Sequence, residues 1–207
     1  MTPDPSSPAL ALPAPSVPLA RADERAKPDM RLLGLLALGH MVIDINQGSL
    51  PVILPFIKET LSLSYAATGM IVLTGNVTSS LIQPLFGYLA DKTARRWLLP
   101  VSVLLSSVGL AFMGLAPSYA AVLALVVITG FGVASYHPEG YRTATAVAGE
   151  RKATGVSIFS TGGNIGIALG PPLLTALLAG FGLSGSLGML VPGLLTAALL
   201  TAVLPRL

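Results

Sequence analysis

The sequence predicts an all-α polytopic membrane protein with six transmembrane helices, and three observations carry that prediction. The first is composition. Of the 207 residues, 53% are hydrophobic and 10% charged, with a mean hydropathy of +0.77, whereas a soluble domain carries about a quarter charged residues. The second is segmentation. A span needs about 20 mostly apolar residues, and six stretches qualify, at about 31–57, 65–90, 97–116, 119–146, 153–180 and 186–204. The third is charge. Of 12 Lys and Arg, only Lys58 falls on one side of the membrane once six spans are drawn, and the other eleven share the opposite side. Basic residues stay in the cytoplasm, so a multi-pass protein of the cell membrane with both termini cytoplasmic is expected.

Residues 1–29 stand apart. Seven prolines punctuate Ala, Ser and Leu, and a mixed-charge "RADERAKPD" follows. Repeated Pro forbids a helix and leaves little to bury, so this segment is expected to be a disordered cytoplasmic tail, with residues 30–207 forming the bundle. No basic start leads into an apolar core here, so it is not a secretory signal. Short polar or Gly-rich turns divide the spans: "SLS" near 62, "DKTARR" at 91–96, "APS" at 116–118, "GERK" at 149–152 and "GFGLSGS" at 180–186.

Span 1 holds the most informative stretch, "GHMVIDINQGSLPVILP". From Arg31 to Lys58 its one charged residue is Asp44, about 20 Å along a helix rising 1.5 Å per residue. A carboxylate there costs roughly 2.5–3.5 kcal/mol on insertion scales, so it must face a cavity or a partner. Helical spacing puts His40, Asp44, Gln47, Gly48, Pro51 and Pro55 on one stripe. The prolines free the carbonyls of Gln47 and Pro51 and make the outer half bendable. The stripe reads as the wall of a proton and substrate pathway, with a structural hydrogen bond to a neighbouring span as the competing reading. Asn46 points elsewhere and reads as structural. On span 2, Asn76, Ser80, Gln83 and Gly87 share a side. The Ser and Thr residues there suit helix packing, and Asn76 and Gln83 stand equally as pathway or packing residues.

"GNVTSSLIQP" from Gly75 and "GNIGIALGPP" from Gly163 both place Gly-Asn eight residues before Pro84 and Pro172. These stretches fall in spans 2 and 5, which run in opposite directions. Three-plus-three inverted repeats, a plan used by secondary transporters, pair those two spans.

Three motifs carry a family resemblance. "GYLADKTARR" resembles the loop 2–3 signature of the major facilitator superfamily through Gly87, Leu89, Asp91, Lys92, Arg95 and Arg96, with Ala94 in place of the family's glycine. "GGNIGIALGPP", with Gly162, Gly166 and Gly170 at four-residue intervals before Pro171, is similar to the span-5 motif of the superfamily's antiporters, although Leu174 and Thr175 replace its closing glycines. "ASYHPEGYR" at the end of span 4, together with "DINQGSLPVILPF", "TSSLIQPLFGYLAD" and "GVSIFSTGGNIG", resembles the fosmidomycin-resistance branch of proton-driven drug exporters. In span 4, Val126 stands where many members carry an arginine, which argues against a proton relay through that position.

The resemblance implies half of a twelve-span fold, with substrate held between two six-helix halves. A lone bundle would turn its polar stripe to lipid, which is costly, so association is expected, with a second copy or a separate second half. The implied function is secondary transport: efflux of a small drug-like or anionic compound, with protons carried by Asp44 assisted by His40. A non-transporting membrane partner or truncated remnant is the alternative. Gly87, Asp91, Lys92, Arg95, Arg96, Glu139 and Arg142 are expected at a cytoplasmic gate, where Glu139 either pairs with Arg95 or Arg96 or belongs to an unpaired loop cluster.

Other classes are disfavoured. With no Cys, disulfides and thiolate metal sites are excluded. No catalytic triad, phosphate loop or metal-ligand spacing is present, so neither an enzyme nor a cofactor is expected. The two histidines fall on different spans, His137 near the cytoplasmic mouth, and are not expected to join in a metal site. A net charge of +3 gives no reason to expect a nucleic-acid partner; membrane lipid and a small-molecule substrate are the expected ones.

Overall fold

The computed structural model describes residues 27–93, 95–203 and 205. Most of the Pro-rich segment, Ala94, and the final residues including Arg206 lie outside the described residues. Among the described residues there are six α-helices: α1 Met30–Thr60, α2 Tyr65–Lys92, α3 Leu98–Met113, α4 Tyr119–Val147, α5 Lys152–Phe181 and α6 Leu190–Val203. Two stretches, Tyr119–Val147 and Lys152–Val203, are long and apolar enough to cross a membrane, each with a mean hydropathy of 1.9. The second runs through both α5 and α6. α3 is apolar but shorter, and α1 and α2 carry polar residues in their middles.

The helix starts follow from capping. Oδ1 of Asp29 accepts the backbone N–H groups of Arg31 and Leu32, both at 3.0 Å, satisfying two of the unpaired donors that open a helix. The Asp29 N–H also donates to the Val147 carbonyl at 3.0 Å. Asp29 is thus a built part of the bundle, which corrects its assignment to the tail. Ser64 and Ser118, the last residues of two expected turns, cap α2 and α4. Asp91 and Lys92 sit in the final turn of α2 rather than in the following loop. α1 continues unbroken through Pro51 and Pro55.

The expected sixth span is composite. A 3-10 stretch over Gly182–Met189 precedes α6, which has only 14 residues. Gly182 turns the chain with φ of +61°, a conformation open to glycine without steric cost. Ser186 then pins the stretch to α3, its Oγ donating to the Ala111 carbonyl at 2.7 Å.

α1 packs mainly against α5, and α4 mainly against α3 and α2, while α3 also contacts α6. The α1–α5 seam is a ladder. Gly162, Gly166 and Gly170 meet the backbone of Ala37, Met41 and Ile45 so closely that a methyl group on any of them would collide with a main-chain carbonyl. Four-residue steps on both helices bring the small residues into register, so the two backbones touch. Gly87 differs: a methyl there would sit 3.9 Å from Pro138, ordinary contact, so Gly87 does not mark a close helix crossing.

Two apolar cores stack along the bundle. One gathers Leu33, Leu36, Val103, Val133, Tyr136 and Phe159. The other gathers Ile53, Leu54, Leu110, Met113, Val122 and Leu174. Buried polar side chains also tie the helices together. Asn46 Nδ2 donates to Ser106 Oγ at 3.0 Å and Ser107 Oγ at 2.9 Å, joining α1 to α3. Ser102 and Ser135 share a bond of 2.7 Å, joining α3 to α4.

Candidate functional site

The site lies beside the first core, where α1, α4 and α5 meet. Asp44 is only 7% exposed. Two imidazoles flank its carboxylate: His40 Nε2 lies 3.2 Å from Oδ2, and His137 Nε2 lies 3.3 Å from Oδ1. His40 stands one turn before Asp44 on α1, whereas His137 arrives from α4.

The other nitrogen of each ring decides the chemistry. His40 Nδ1 is 2.8 Å from the Phe159 carbonyl, and His137 Nδ1 is 2.8 Å from the Val133 carbonyl. A carbonyl oxygen only accepts, so both Nδ1 atoms carry hydrogen and donate. In the neutral tautomer each Nε2 is then a bare lone pair aimed at a carboxylate oxygen. Two edges therefore set acceptor against acceptor, and each becomes a bond only when a proton or another positive centre lies between the atoms. Asp44 Oδ1 has no hydrogen-bond donor otherwise.

Packing holds these groups in place. The His40 ring stacks on Phe159, with centroids 4.1 Å apart, and meets His137 edge-on at 4.8 Å. Tyr136, one residue before His137, is fully buried and donates its hydroxyl to the Leu36 carbonyl at 2.8 Å. That hydroxyl fills the space over Gly39, where a side chain would overlap it. Gly163 supplies the remaining room: a methyl there would stand 2.5 Å from Asp44 Oδ2 and 2.6 Å from His40 Nε2.

A cavity of about 660 Å³ borders the cluster through His40 and His137, and its wall includes Gln83, Asp91, Arg142 and Lys152. Asp44 does not line it; the two histidines stand between. A second cavity of about 210 Å³ is lined by Gln47, Asn76, Pro51 and Val126. The residues expected along one pathway thus divide: His40 and Gln83 border the first cavity, Gln47 and Asn76 the second. Asn46 faces α3, as its helical position indicates.

Two expectations need correction. His137 does not sit with an exposed gate cluster; it closes on Asp44, and the two histidines kept apart by the sequence reading come together. Its neighbours explain the misplacement, since Glu139 and Arg142 on the same helix look like mouth residues. Second, Glu139 pairs with Arg142, Oε1 to Nη2 at 3.1 Å, and not with Arg95 or Arg96, which are exposed on the α2–α3 connection. Helical spacing of three residues makes that local partner the nearer one. Glu139 is 1% exposed, so it is a buried group rather than a surface one. Lys92 places its Nζ 4.3 Å above the Tyr88 ring, one turn back on its own helix. The sequence reading placed Gly163 in the repeat with Gly75 and did not assign it to the site.

Comparison with known proteins agrees with this architecture. The Major Facilitator Superfamily family model matches residues 36–207. The fosmidomycin resistance protein of Escherichia coli is 34% identical over 194 residues, covering 94% of this chain and 48% of that protein. An uncharacterized transporter of the superfamily from Bacillus subtilis is 37% identical over 147 residues, covering 71% of this chain and 36% of its own length. The chain thus spans about half the length or less of the curated relatives it matches. In fold it resembles a bacterial homolog of the human lysosomal transporter Spinster, solved inward-facing and unoccupied, with a TM-score of 0.73 at 23% identity over 83% of this chain and 42% of that one. Members of this superfamily are membrane transporters and not enzymes. On its sequence match and its helical fold, the chain belongs to the Major Facilitator Superfamily.

Proposed function

We propose that the protein works in proton-coupled efflux of a small drug-like or anionic compound, with the Asp44 cluster as the proton site. The observation that carries this reading is the pair of edges between Asp44 and the two histidines, at 3.2 and 3.3 Å. Each edge is bonded with a proton in place and repulsive without one, so loading and unloading change the force between α1 and α4. A coupling site needs that: a proton whose presence alters which helix arrangement is favoured. Arg142, Lys152 and Gln83 on the larger cavity's wall suit an anionic or polar guest. The glycine ladder before Pro171 supports exchange as the transport mode by its likeness to antiporters.

The six helices supply one side of the transport path, as two inverted repeats of three, with both termini cytoplasmic in the cell membrane. The reciprocal packing of α1 on α5 and α4 on α2 supports the repeat. A second six-helix half, either another copy or a separate one, completes the path. Its position is suggested by Gln47, Asn76 and Asn164, which are exposed on the outer faces of α1, α2 and α5 and would be costly against lipid. At the α2–α3 and α4–α5 end, Gly87, Asp91, Lys92, Arg95, Arg96, Glu139 and Arg142 form the inner gate in this reading.

The test is drug accumulation. Fosmidomycin, named by the Escherichia coli relative, is the first compound to try. Cells expressing the protein should accumulate less of it than cells without, and a protonophore should erase the difference. Asp44→Asn should lower efflux at least about tenfold, as expected when an essential proton-transfer group is lost. Efflux that still follows the proton gradient in Asp44→Asn would overturn the assignment.

A further inference from the structure

The same atoms have the chemistry of a metal site. We propose that His40, Asp44 and His137 bind a divalent transition-metal ion of borderline softness, such as Zn2+, through two Nε2 atoms and one carboxylate oxygen. Metal binding here stands on the side-chain geometry and does not depend on the transport reading.

Donor type comes first. Two imidazoles and a carboxylate are ligands that Zn2+ and its neighbours accept. One ligand atom from each residue can be chosen so that all three lie within 4.8 Å of one another. A tetrahedral ion with bonds of about 2.0 Å spaces its ligands about 3.3 Å apart, and whichever carboxylate oxygen binds, one imidazole–carboxylate edge already has that spacing: 3.2 Å from His40 Nε2 to Oδ2, or 3.3 Å from His137 Nε2 to Oδ1. The other two edges, each no longer than 4.8 Å, would have to shorten by up to about 1.5 Å to reach that spacing.

Orientation is the second line. Metal-bound histidines usually donate their other ring N–H to a carbonyl or carboxylate, which fixes the tautomer. Both rings here do so, to Phe159 and Val133. That leaves both Nε2 lone pairs converging on an anion, an arrangement that favours a cation between them. The third line is the unsatisfied oxygen. Asp44 is 93% buried by the 7% exposure given above, and Oδ1 has no hydrogen-bond donor. Finally, the two histidines border the larger cavity, which gives an ion an entry route and a fourth position for water.

The experiment is a Co2+ titration of the full chain, purified tag-free in mild detergent and followed by visible d–d absorption. The expected result is saturation at a single ion per chain, with the signal displaced by Zn2+. Asp44→Asn and His137→Gln, close in shape to the native residues, should each weaken Co2+ at least about tenfold, the scale seen when ligand environments are altered. Thermal unfolding without metal shows whether each variant is folded; where His137→Gln is not, Asp44→Asn alone decides. A folded wild-type protein that takes up no Co2+, or binding indifferent to a folded variant, overturns the proposal. Wild-type protein that binds no metal while Asp44→Asn abolishes efflux would remove the metal site and leave the transport reading standing.

Discussion

At the scale of the residue, the site depends on two kinds of side chain: those that hold charge and those that leave room. Asp44 alone would be an isolated buried carboxylate, which desolvation makes untenable without partners. His40 and His137 supply them. Gly163 is the residue that leaves room, and it yields a sharp prediction. Gly163→Ala would put a methyl carbon 2.5 Å from Asp44 Oδ2, inside any acceptable contact, so the carboxylate and His40 must move apart. Proton-dependent efflux should fall about tenfold while unfolding stability drops by only about 1–3 kcal/mol, the usual cost of added methylenes. Efflux and thermal unfolding measured on the same preparation check it. Wild-type efflux in a folded Gly163→Ala protein would show that the spacing of the cluster is not critical.

At the scale of the element, the α1–α5 seam is the most demanding contact. Its three glycines meet main-chain atoms of α1, which cannot rotate away as a side chain can. Gly166→Leu should therefore separate the helices rather than repack locally, with a loss of stability well above that of Gly163→Ala. Because a methyl on Gly166 would also lie 3.0 Å from the Asp44 Cβ, the same variant should displace the cluster. Gly87→Ala is the contrasting case, since the added methyl would come no closer than 3.9 Å to its nearest neighbour, Pro138. It should leave the unfolding temperature unchanged. A differential scan of the three variants in one detergent tests the ranking; equal losses would mean that the ladder is not the source of the seam's strength.

At the scale of the whole molecule, the bundle is unevenly finished. α1 buries residues over most of its length, but among the 28 residues of α2 only Ile71, Thr78 and Ala90 are buried. α2 is therefore an edge helix, and Leu73, Val77, Leu81 and Leu85 are exposed along it beside the polar Asn76. An apolar face alone would suit lipid; the asparagine favours a protein partner. The chain's lack of cysteine makes this testable without background. A single Asn76→Cys or Asn164→Cys should crosslink to a second polypeptide in native membranes under mild oxidation or a short bifunctional reagent. A product of twice the chain mass would identify a second copy, and a different mass a separate half. Wholly monomeric protein at both positions would speak against completion of the path by another half on these faces.

The sequence by itself determined the all-helical class and the family, because those rest on local properties. Hydropathy sums along a window, charges mark the ends of segments, and motifs such as "GYLADKTARR" are contiguous. It also singled out Asp44, since a lone carboxylate in an apolar helix has no cheap explanation. The tertiary structure decided who meets whom. His40 lies 97 positions before His137, and nothing local says that both Nε2 atoms reach one carboxylate; that follows from the height at which α4 crosses α1, which the Tyr136 bond to Leu36 and the room left over Gly39 help to set. Glu139 found its partner on its own helix rather than across the gate for the same reason in reverse, because a neighbour three residues away is always within reach. Local chemistry is written in order along the chain, whereas contacts between helices depend on packing that the order of residues does not display.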